Sequence, residues 1–233
     1  MYQLSAEYYD KVYSFKDYAA EARRIHEWIA RFCQSGGRAL LDIACGTGRH
    51  LAYLRVDFEV EGLDRSPGML REAAKRYPDL AFHRGDMRRF DLKKQFDVVT
   101  SLFSSVGYLL TLKDYTRAIT CMTRHLKPGG VLLVEPWLKP DVWTPGRPHV
   151  LVVDEPELKI ARLNTTWQKG RKSGFDFHYT IATPEGVSHF VEKHVLALYT
   201  PEEQLEAFRQ AGLEAQYDET GLTGRGMLIG VKP

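Results

Sequence analysis

The segment over residues 40–50, Leu-Leu-Asp-Ile-Ala-Cys-Gly-Thr-Gly-Arg-His, constrains this chain more than any other part of it. Strand-forming residues run directly into a Gly-x-Gly turn at Gly46 and Gly48, and a helical pattern follows at once. Glycines let the backbone approach a ligand closely, and a helix N-terminus offers it unpaired N–H groups. Asp64 ends the next apolar run, 22 residues after Asp42, and a carboxylate there suits the hydroxyls of a ribose. The segment therefore predicts a site for an adenosine-bearing ligand.

Composition limits the classes of protein to consider. The chain has 233 residues, enough for one α/β domain with a modest insertion. It contains no apolar run of about 18 residues and no signal-peptide layout in its first 20 residues. The three cysteines, Cys33, Cys45 and Cys121, form no CxxC pair, which argues against a metal cluster or disulfide framework and favours a cytoplasmic location. A net charge of +2 is too small to indicate a nucleic-acid partner.

The order of strand and helix patterns predicts a parallel sheet. Apolar residues at three- and four-residue spacing predict a helix over 18–34, and strands then alternate with helices as far as Glu135. Such alternation is typical of a parallel sheet covered by helices on both faces. The predicted strands are Ala39–Ala44, Phe58–Leu63, Leu80–His83, Phe96–Ser101 and Val131–Glu135, the helices between them are 49–55, 67–76 and 113–126, and Lys127–Gly130 is predicted as a turn.

The pattern changes after Glu135. A proline-rich loop leads into β-like runs separated by turn residues, which predicts an antiparallel insertion. Because the insertion leaves from the carboxyl end of a strand, where ligands bind in open α/β sheets, we expect it to roof the site. Thr200 and Glu203 form the pattern of a capping box, and two final strands complete the sheet. We therefore expect residues 1–136 and 200–233 to form one domain with an N-terminal helical cap, and residues 137–199 to form the insertion, with strands at 150–153, 159–168, 175–182, 187–199, 213–218 and 226–231.

The glycine turn resembles a known family of enzymes. Asp42-x-Ala44-x-Gly46-x-Gly48, followed by Leu51, departs from the dinucleotide fingerprint G-x-G-x-x-G/A. It resembles motif I of the class I S-adenosylmethionine-dependent methyltransferases. Further motifs of that family follow in order: Gly62-Leu63-Asp64, Gly85-Asp86-Met87, Phe96-Asp97-Val98-Val99 and Leu126-Lys127-Pro128-Gly129-Gly130. The resemblance implies an α/β fold with a Rossmann-like class I methyltransferase sheet, and S-adenosyl-L-methionine as the cofactor.

The resemblance also implies which residues bind that cofactor. Asp64 stands where the family holds both ribose hydroxyls, and Asp86 and Met87 stand where it clamps the adenine. Tyr18 stands where an aromatic ring contacts the methionine part. The full implied set is Tyr18, Asp42, Ala44, Gly46, Gly48, Asp64, Asp86, Met87 and Ser101.

A narrower resemblance runs nearly end to end. It is to the TDP-3-amino-sugar N,N-dimethyltransferases of the desosamine and mycaminose type, and residues 140–175 match it least. It implies that Tyr13 and Arg225 hold a nucleotide sugar, that His178 faces the pocket from the insertion, and that Tyr108 lies beside the transferred methyl. Trp137 and Arg162 join the expected substrate-binding set. The motifs that carry it include Tyr9-Asp10-x-x-Tyr13, Ser101–Leu109, Val134-Glu135-Pro136-Trp137, Phe177–Thr180 and Gly224-Arg225-Gly226.

These residues favour N-methylation of a TDP-linked 3-amino-deoxy sugar. A neutral amine can attack a methyl sulfonium without a dedicated base, and desolvation favours the neutral form. His178, then Tyr108 and Tyr13, are the candidates to accept a proton, and no metal site is expected. We expect a small-molecule substrate and a possible homodimer.

Two alternatives stay open: a methyltransferase for another small metabolite or natural product with a nitrogen or oxygen acceptor, and a non-catalytic S-adenosylmethionine-binding protein. A nicotinamide-dependent oxidoreductase conflicts with the glycine spacing.

Overall fold

The computed structural model describes residues 6–233 and contains two β-sheets. Along the first part of the chain the elements are α1 (Tyr9–Val12), α2 (Tyr18–Phe32), β1 (Ala39–Ile43), α3 (Leu51–Leu54), β2 (Glu59–Asp64), α4 (Pro67–Arg76), β3 (Ala81–Arg84), β4 (Phe96–Ser101), a 3-10 turn (Ser105–Tyr108), α5 (Leu112–Arg124) and β5 (Leu126–Val134). The remainder is β6 (Pro148–Glu155), β7 (Leu158–Lys169), β8 (Lys172–Thr183), β9 (Gly186–Ala197), α6 (Pro201–Gln210), β10 (Glu214–Asp218) and β11 (Met227–Val231).

The larger sheet has seven strands in the order β10-β11-β5-β4-β1-β2-β3. Strands β1 to β5 run parallel, and the last strand, β11, pairs antiparallel with β5. The strand order reverses between β1 and β4, and in open α/β sheets ligands bind at the carboxyl ends of the strands beside such a point. This topology confirms the predicted fold class and places the glycine turn after β1 at the expected edge.

Burial on both faces explains the apolar character of the central strands. All six residues of β4 are buried, and so are the last four of β1. Helices α5 and α6 cover one face through Tyr115, Ile119 and Phe208, and α2 covers the other through Ile25 and Trp28. Most strand boundaries agree with the prediction to within one or two residues.

One predicted boundary is wrong. Residues 127–130, expected to be a turn, continue β5 towards its start at Leu126. The Gly129 N–H donates to the Lys232 carbonyl at 2.7 Å, and the Lys232 N–H donates to the Gly130 carbonyl at 2.9 Å. Pairing with the end of the chain therefore extends this segment, and the irregular register with β4 between Phe96 and Val98 accommodates it.

The second sheet is a four-stranded antiparallel meander in the order β6-β7-β8-β9. Its inner face carries Phe175, Phe177, Tyr179 and Ile181 at every second position of β8, and Val12 and Tyr13 from the N-terminal segment pack against that face. The meander lies within the expected insertion, 137–199. The proposed division into domains stays a prediction, and residues 1–5 of the first segment lie outside the described part of the chain.

Helix caps follow the sequence closely. Asp17, Ser66 and Thr111 each accept a backbone N–H at the start of a helix. The predicted capping box at α6 is present, with Thr200 and Glu203 each bonding the other's backbone N–H. Over residues 6–233, no helix has both the length and the apolar character that crossing a bilayer requires.

We expect Thr200→Ala to lower the free energy of unfolding by about 1 kcal/mol, because the first turn of α6 loses its cap. For a chain of this size that corresponds to a melting temperature lower by about 2–4 °C. Thr200→Ser retains the hydroxyl and serves as the matched control. Equal melting temperatures for the alanine and serine variants would contradict the assignment.

Candidate active site

The glycine turn after β1 takes a left-handed backbone at three alternate residues. Ala44, Gly46 and Gly48 have φ values of 59°, 57° and 76°. A side chain at Gly48 would also meet the Tyr77 ring at 3.3 Å, whereas the space beside Gly46 is open. Gly48 therefore shapes the turn and lines neither of the cavities described below, while Gly46 and Ala44 line both.

Two carboxylates face the cavities beside this turn, and one of them holds it. Asp64 accepts the Gly46 N–H at 2.9 Å and the Ser66 N–H at 2.7 Å, so it joins the turn after β1 to the start of α4. Asp42 is buried and accepts the Thr100 hydroxyl at 2.7 Å. Burial raises the pKa of both carboxyls, that of Asp42 to about 6. Because a carboxylate has about four accepting positions and backbone donors use only part of them, Asp64 retains capacity for a further hydroxyl donor.

The predicted adenine clamp has a partner that the sequence analysis missed. Asp86 accepts hydrogen bonds from the Arg88 backbone and guanidinium, with the Asp86 Oδ2 to Arg88 Nη2 distance at 2.6 Å. These bonds lower the pKa of Asp86 to about 2. Asp86 is thus ionised at neutral pH and orientated by Arg88, and Met87 beside it lines the same cavity.

The N-terminal segment closes over the turn. Asp10 accepts the Thr47 hydroxyl at 2.7 Å and forms an ion pair with Arg76. Tyr18 is buried against His50 and under Arg49, with ring centroids 4.9 Å apart in the first pair. The N-terminal helices therefore contribute to the wall around the Gly-x-Gly turn.

Two adjoining cavities open at this edge of the sheet. The nucleoside cavity, about 940 Å³, is lined by Asp64, Asp86 and Met87. The acceptor cavity, about 520 Å³, lies under the second sheet. The two share a wall made of Tyr9, Ala44, Gly46, Ser105 and Tyr108. A group held in one cavity can therefore reach a group held in the other.

Arginine side chains and aromatic rings line the acceptor cavity. Arg162 donates to the Tyr13 hydroxyl at 3.2 Å and lies 4.1 Å from the Phe177 ring centroid. Its buried Nε finds no hydrogen-bond partner within residues 6–233. Arg225 donates to Ser104 at 3.0 Å and lies over the Trp137 ring at 5.3 Å. Within the same residues, neither guanidinium has a carboxylate within 4.0 Å, so both charges face the cavity uncompensated.

A strained elbow positions Arg225. Phe103 and Ser104, directly after β4, have φ values of 53° and 62°, a conformation that costs about 1–3 kcal/mol for each non-glycine residue. Glu135, fully buried, accepts the Phe103 N–H at 2.6 Å and the Thr223 hydroxyl at 2.8 Å. One carboxylate thereby ties the elbow to the loop that carries Arg225.

The predictions for His178 and Ser101 need correction. His178 is exposed on the outer face of β8, whereas its neighbours Phe177 and Tyr179 are buried on the inner face. Because side chains alternate along a strand, the inward aromatic rings force His178 outward, and the prediction that it faces the pocket, on which its catalytic and substrate-binding roles depended, is wrong. Ser101 is fully buried at the end of β4 and lines neither cavity.

A histidine that the sequence analysis did not single out lies beside the acceptor cavity. His194 on β9 is fully buried, and its Nδ1 is 2.7 Å from the Tyr108 hydroxyl. Its position two residues from buried Glu192 and Leu196 places it on the inner face of the sheet. Strand alternation could have revealed that face, but the contact with Tyr108 spans 86 residues of sequence.

The residues around the nucleoside cavity fit S-adenosyl-L-methionine. Two acidic side chains stand at the ends of β2 and β3, and the open space beside Gly46 lets a ligand approach the backbone. Tyr18 and Arg49 stand beyond the turn, on the wall of the acceptor cavity. Among residues 6–233 no group of three His, Cys, Asp or Glu side chains is arranged to hold a metal ion.

Comparison with known proteins agrees with this geometry. Residues 40–130 match a methyltransferase-domain family. The chain is 41% identical to the dTDP-3-amino-3,4,6-trideoxy-alpha-D-glucopyranose N,N-dimethyltransferase of Streptomyces venezuelae, over 99% of both chains. It is 38% identical to the dTDP-4-amino-2,3,4,6-tetradeoxy-D-glucose N,N-dimethyltransferase of Saccharopolyspora spinosa, over 97% of this chain and 92% of the relative.

The solved structure of a related enzyme contains the cofactor. The S-adenosylmethionine-bound amino pentose methyltransferase CalS10 of Micromonospora echinaspora is 34% identical and has a TM-score of 0.86, covering 100% of this chain and 98% of CalS10. The predictions of the enzyme class and of S-adenosyl-L-methionine as cofactor are thereby confirmed. The chain belongs to the class I S-adenosylmethionine-dependent methyltransferases, in the family of the amino-sugar N,N-dimethyltransferases.

Proposed function

We propose that this enzyme methylates the amino group of a nucleotide-linked amino-deoxy sugar, with TDP-linked 3-amino sugars as the first candidates. The observation that carries the proposal is the pair of uncompensated arginines, Arg162 and Arg225, in a cavity that adjoins the nucleoside cavity. Guanidinium groups bind diphosphates through paired hydrogen bonds. The two related N,N-dimethyltransferases, from Streptomyces venezuelae and Saccharopolyspora spinosa, are both named for dTDP-amino sugars.

In this proposal, one set of residues binds the cofactor and another set binds the nucleotide sugar. Asp64 would hold the ribose and Asp86 with Met87 the adenine of S-adenosyl-L-methionine, which supplies an electrophilic methyl on a sulfonium. Tyr13, Trp137, Arg162 and Arg225 would hold the nucleotide sugar. Orientation of two reactants in adjoining cavities is worth roughly 7–11 kcal/mol in favourable cases. Of the three side chains proposed to receive a proton, Tyr13 and Tyr108 line the acceptor cavity.

Transfer of labelled methyl groups tests this proposal. The enzyme is incubated with methyl-labelled S-adenosylmethionine and a panel of TDP-3-amino and TDP-4-amino deoxy sugars, with the matching hydroxyl sugars as controls. We expect label on the nitrogen of at least one amino sugar and none on the hydroxyl sugars. Label only on unrelated metabolites would overturn the sugar assignment, and cofactor binding without turnover on any acceptor would indicate a non-catalytic binding protein.

We expect Asp64→Ala to weaken binding of S-adenosylhomocysteine by about 1–3 kcal/mol, or roughly 5- to 150-fold, because buried donors lose a charged acceptor. Isothermal titration calorimetry measures the dissociation constant directly. Asp79→Ala removes an exposed carboxylate that pairs with Arg55 and is the control. Equal affinity of the Asp64 variant and the parent would remove Asp64 from the nucleoside site.

We expect Arg225→Met to raise KM for the nucleotide sugar by about 10-fold or more, because the substitution removes a charge-assisted contact. The affinity for S-adenosylhomocysteine should stay unchanged. Arg162→Met should behave alike, although it also removes a hydrogen bond to Tyr13. Lys75→Gln removes an exposed charge from α4, away from both cavities and from the second sheet, and is the control. A KM that equals that of the parent would exclude the substituted arginine from the diphosphate site.

We also propose a homodimer formed through the outer face of the second sheet, in a cytoplasmic enzyme. The three cysteines are unpaired, as a reducing compartment requires. The outer face exposes Val150, Val152, Leu163, Val187 and Val191, each between 44% and 66% exposed. Val150 and Leu163 are paired neighbours on this face, and exposed apolar surface of this kind is typical of protein interfaces.

We expect light scattering of the parent to give twice the chain mass of 26.7 kDa. Paired aspartate substitutions at Val152 and Leu163 should yield monomers, because two charges would be buried in the contact. Val56→Asp, at an exposed position elsewhere, is the control. A monomeric parent, or a dimer that survives both substitutions, would contradict this interface.

A further inference from the structure

Strand β7 presents three polar side chains in succession to the acceptor cavity. Arg162, Asn164 and Thr166 occupy alternate positions of the strand, and all three line that cavity. Successive residues on one face of a strand lie about 6.4–6.8 Å apart. Asn164 and Thr166 therefore lie one and two steps along the same wall from Arg162, a residue proposed to bind the diphosphate.

The protein itself uses the polar groups of Thr166 but not those of Asn164. The Thr166 hydroxyl donates to the Thr144 carbonyl at 2.8 Å and accepts the Arg147 N–H at 3.1 Å. Asn164 is only 9% exposed, yet its side-chain amide has no hydrogen-bond partner among residues 6–233. Buried polar groups are nearly always paired, because an unpaired amide lowers the stability of the fold. An unpaired amide in a cavity wall is explained if its partner belongs to the ligand.

Aromatic rings surround this part of the cavity. Trp143 directly precedes the carbonyl that Thr166 binds, and its ring centroid lies 6.4 Å from that of Phe175 and 5.8 Å from that of Trp137. Phe175 is the partner of Thr166 in the pairing of β7 with β8. Nucleotide bases stack favourably on aromatic side chains. The surroundings of Asn164 therefore suit the base of a nucleotide better than its phosphates.

The amide of Asn164 is suited to a particular edge of a base. It offers an acceptor oxygen and a donor nitrogen side by side. Thymine presents an N–H at N3 between two carbonyl oxygens. The amide oxygen can accept from N3–H while the amide nitrogen donates to a neighbouring carbonyl, so one neutral side chain binds two adjacent groups of the ring.

We propose that the part of the acceptor cavity around Asn164 is a base subsite, in which the Asn164 amide binds N3–H and a carbonyl of thymine while Trp143 and Phe175 lie beside the ring. The inference rests on the proposed nucleotide-sugar acceptor and identifies the residue that selects the base. All three residues lie within 140–175, the part of the chain that matches the amino-sugar N,N-dimethyltransferases least.

A single methyl group on the ligand tests the contact in the parent enzyme. Thymidine diphosphate and N3-methylthymidine diphosphate are titrated by calorimetry with saturating S-adenosylhomocysteine, which occupies the nucleoside cavity. The methyl group replaces the N3 proton, so we expect about 10-fold weaker binding, equivalent to one net hydrogen bond. Adenosine diphosphate, whose base has no N–H between two carbonyls, should also bind about 10-fold more weakly than thymidine diphosphate.

Asn164→Ala separates the hydrogen bond from the bulk of the methyl group. We expect it to weaken thymidine diphosphate binding by about 10-fold, whereas N3-methylation should cost the variant nothing further, because the partner of N3–H is absent. KM for the TDP-amino sugar should rise by a similar factor with little change in kcat, since the base lies away from the reacting amine. Thr165→Val, at the exposed neighbouring position of β7, is the matched control and should leave both affinities unchanged.

The outcomes separate this inference from the proposed function. Equal binding of the two thymidine ligands by the parent, a methylation cost that persists in Asn164→Ala, or adenosine diphosphate binding as tight as that of thymidine diphosphate would each overturn the base subsite, and methylation of TDP-amino sugars would still stand. A parent chain that methylates no nucleotide-linked sugar and binds no thymidine diphosphate would overturn both together. If Asn164→Ala does not fold, Asn164→Ser takes its place in the same cycle; melting temperature and S-adenosylhomocysteine affinity are measured for every variant.

Discussion

The carboxylate of Asp64 is the constraint on which the site depends. It joins the turn after β1 to the start of α4 by accepting two backbone N–H groups. Those bonds fix the left-handed turn at Gly46 while the same side chain faces the nucleoside cavity. The residue that shapes the glycine turn is therefore also the residue expected to bind the ribose of the ligand. The free energies of folding and of ligand binding are coupled through this one carboxylate.

The second sheet converts a nucleoside site into a two-substrate site. It packs on the N-terminal segment through Val12 and Tyr13 and on the turn Ser105–Tyr108 through Leu196. Arg162 reaches the acceptor cavity from this sheet, whereas Arg225 reaches it from the loop before β11. Two parts of the chain distant in sequence thus supply the two uncompensated charges, and the strained elbow after β4 holds one of them in place through Glu135.

Local patterns predicted most of the fold and the nucleoside side of the site. The capping box at Thr200 and the Gly-x-Gly turn depend on neighbours within a few residues, and the structure retains both. Asp64 could be predicted from its place at the end of a strand, although its hydrogen bond to Gly46 spans 18 residues. Contacts between distant segments were not predictable in this way. The Asp10–Thr47 hydrogen bond and the Tyr108–His194 pair join residues 37 and 86 positions apart. The inward position of His178 that the resemblance implied conflicts with the alternation of its strand, in which Phe177 and Tyr179 face inward and His178 faces outward.

Simultaneous binding is the most direct test of two adjoining compartments. Thymidine diphosphate is titrated into the enzyme by calorimetry, first alone and then with saturating S-adenosylhomocysteine. We expect one equivalent to bind in both titrations with similar or higher affinity in the second, because the two molecules occupy cavities that share only a wall. Loss of thymidine diphosphate binding in the presence of S-adenosylhomocysteine would show that both compete for one cavity and would contradict the two-compartment site.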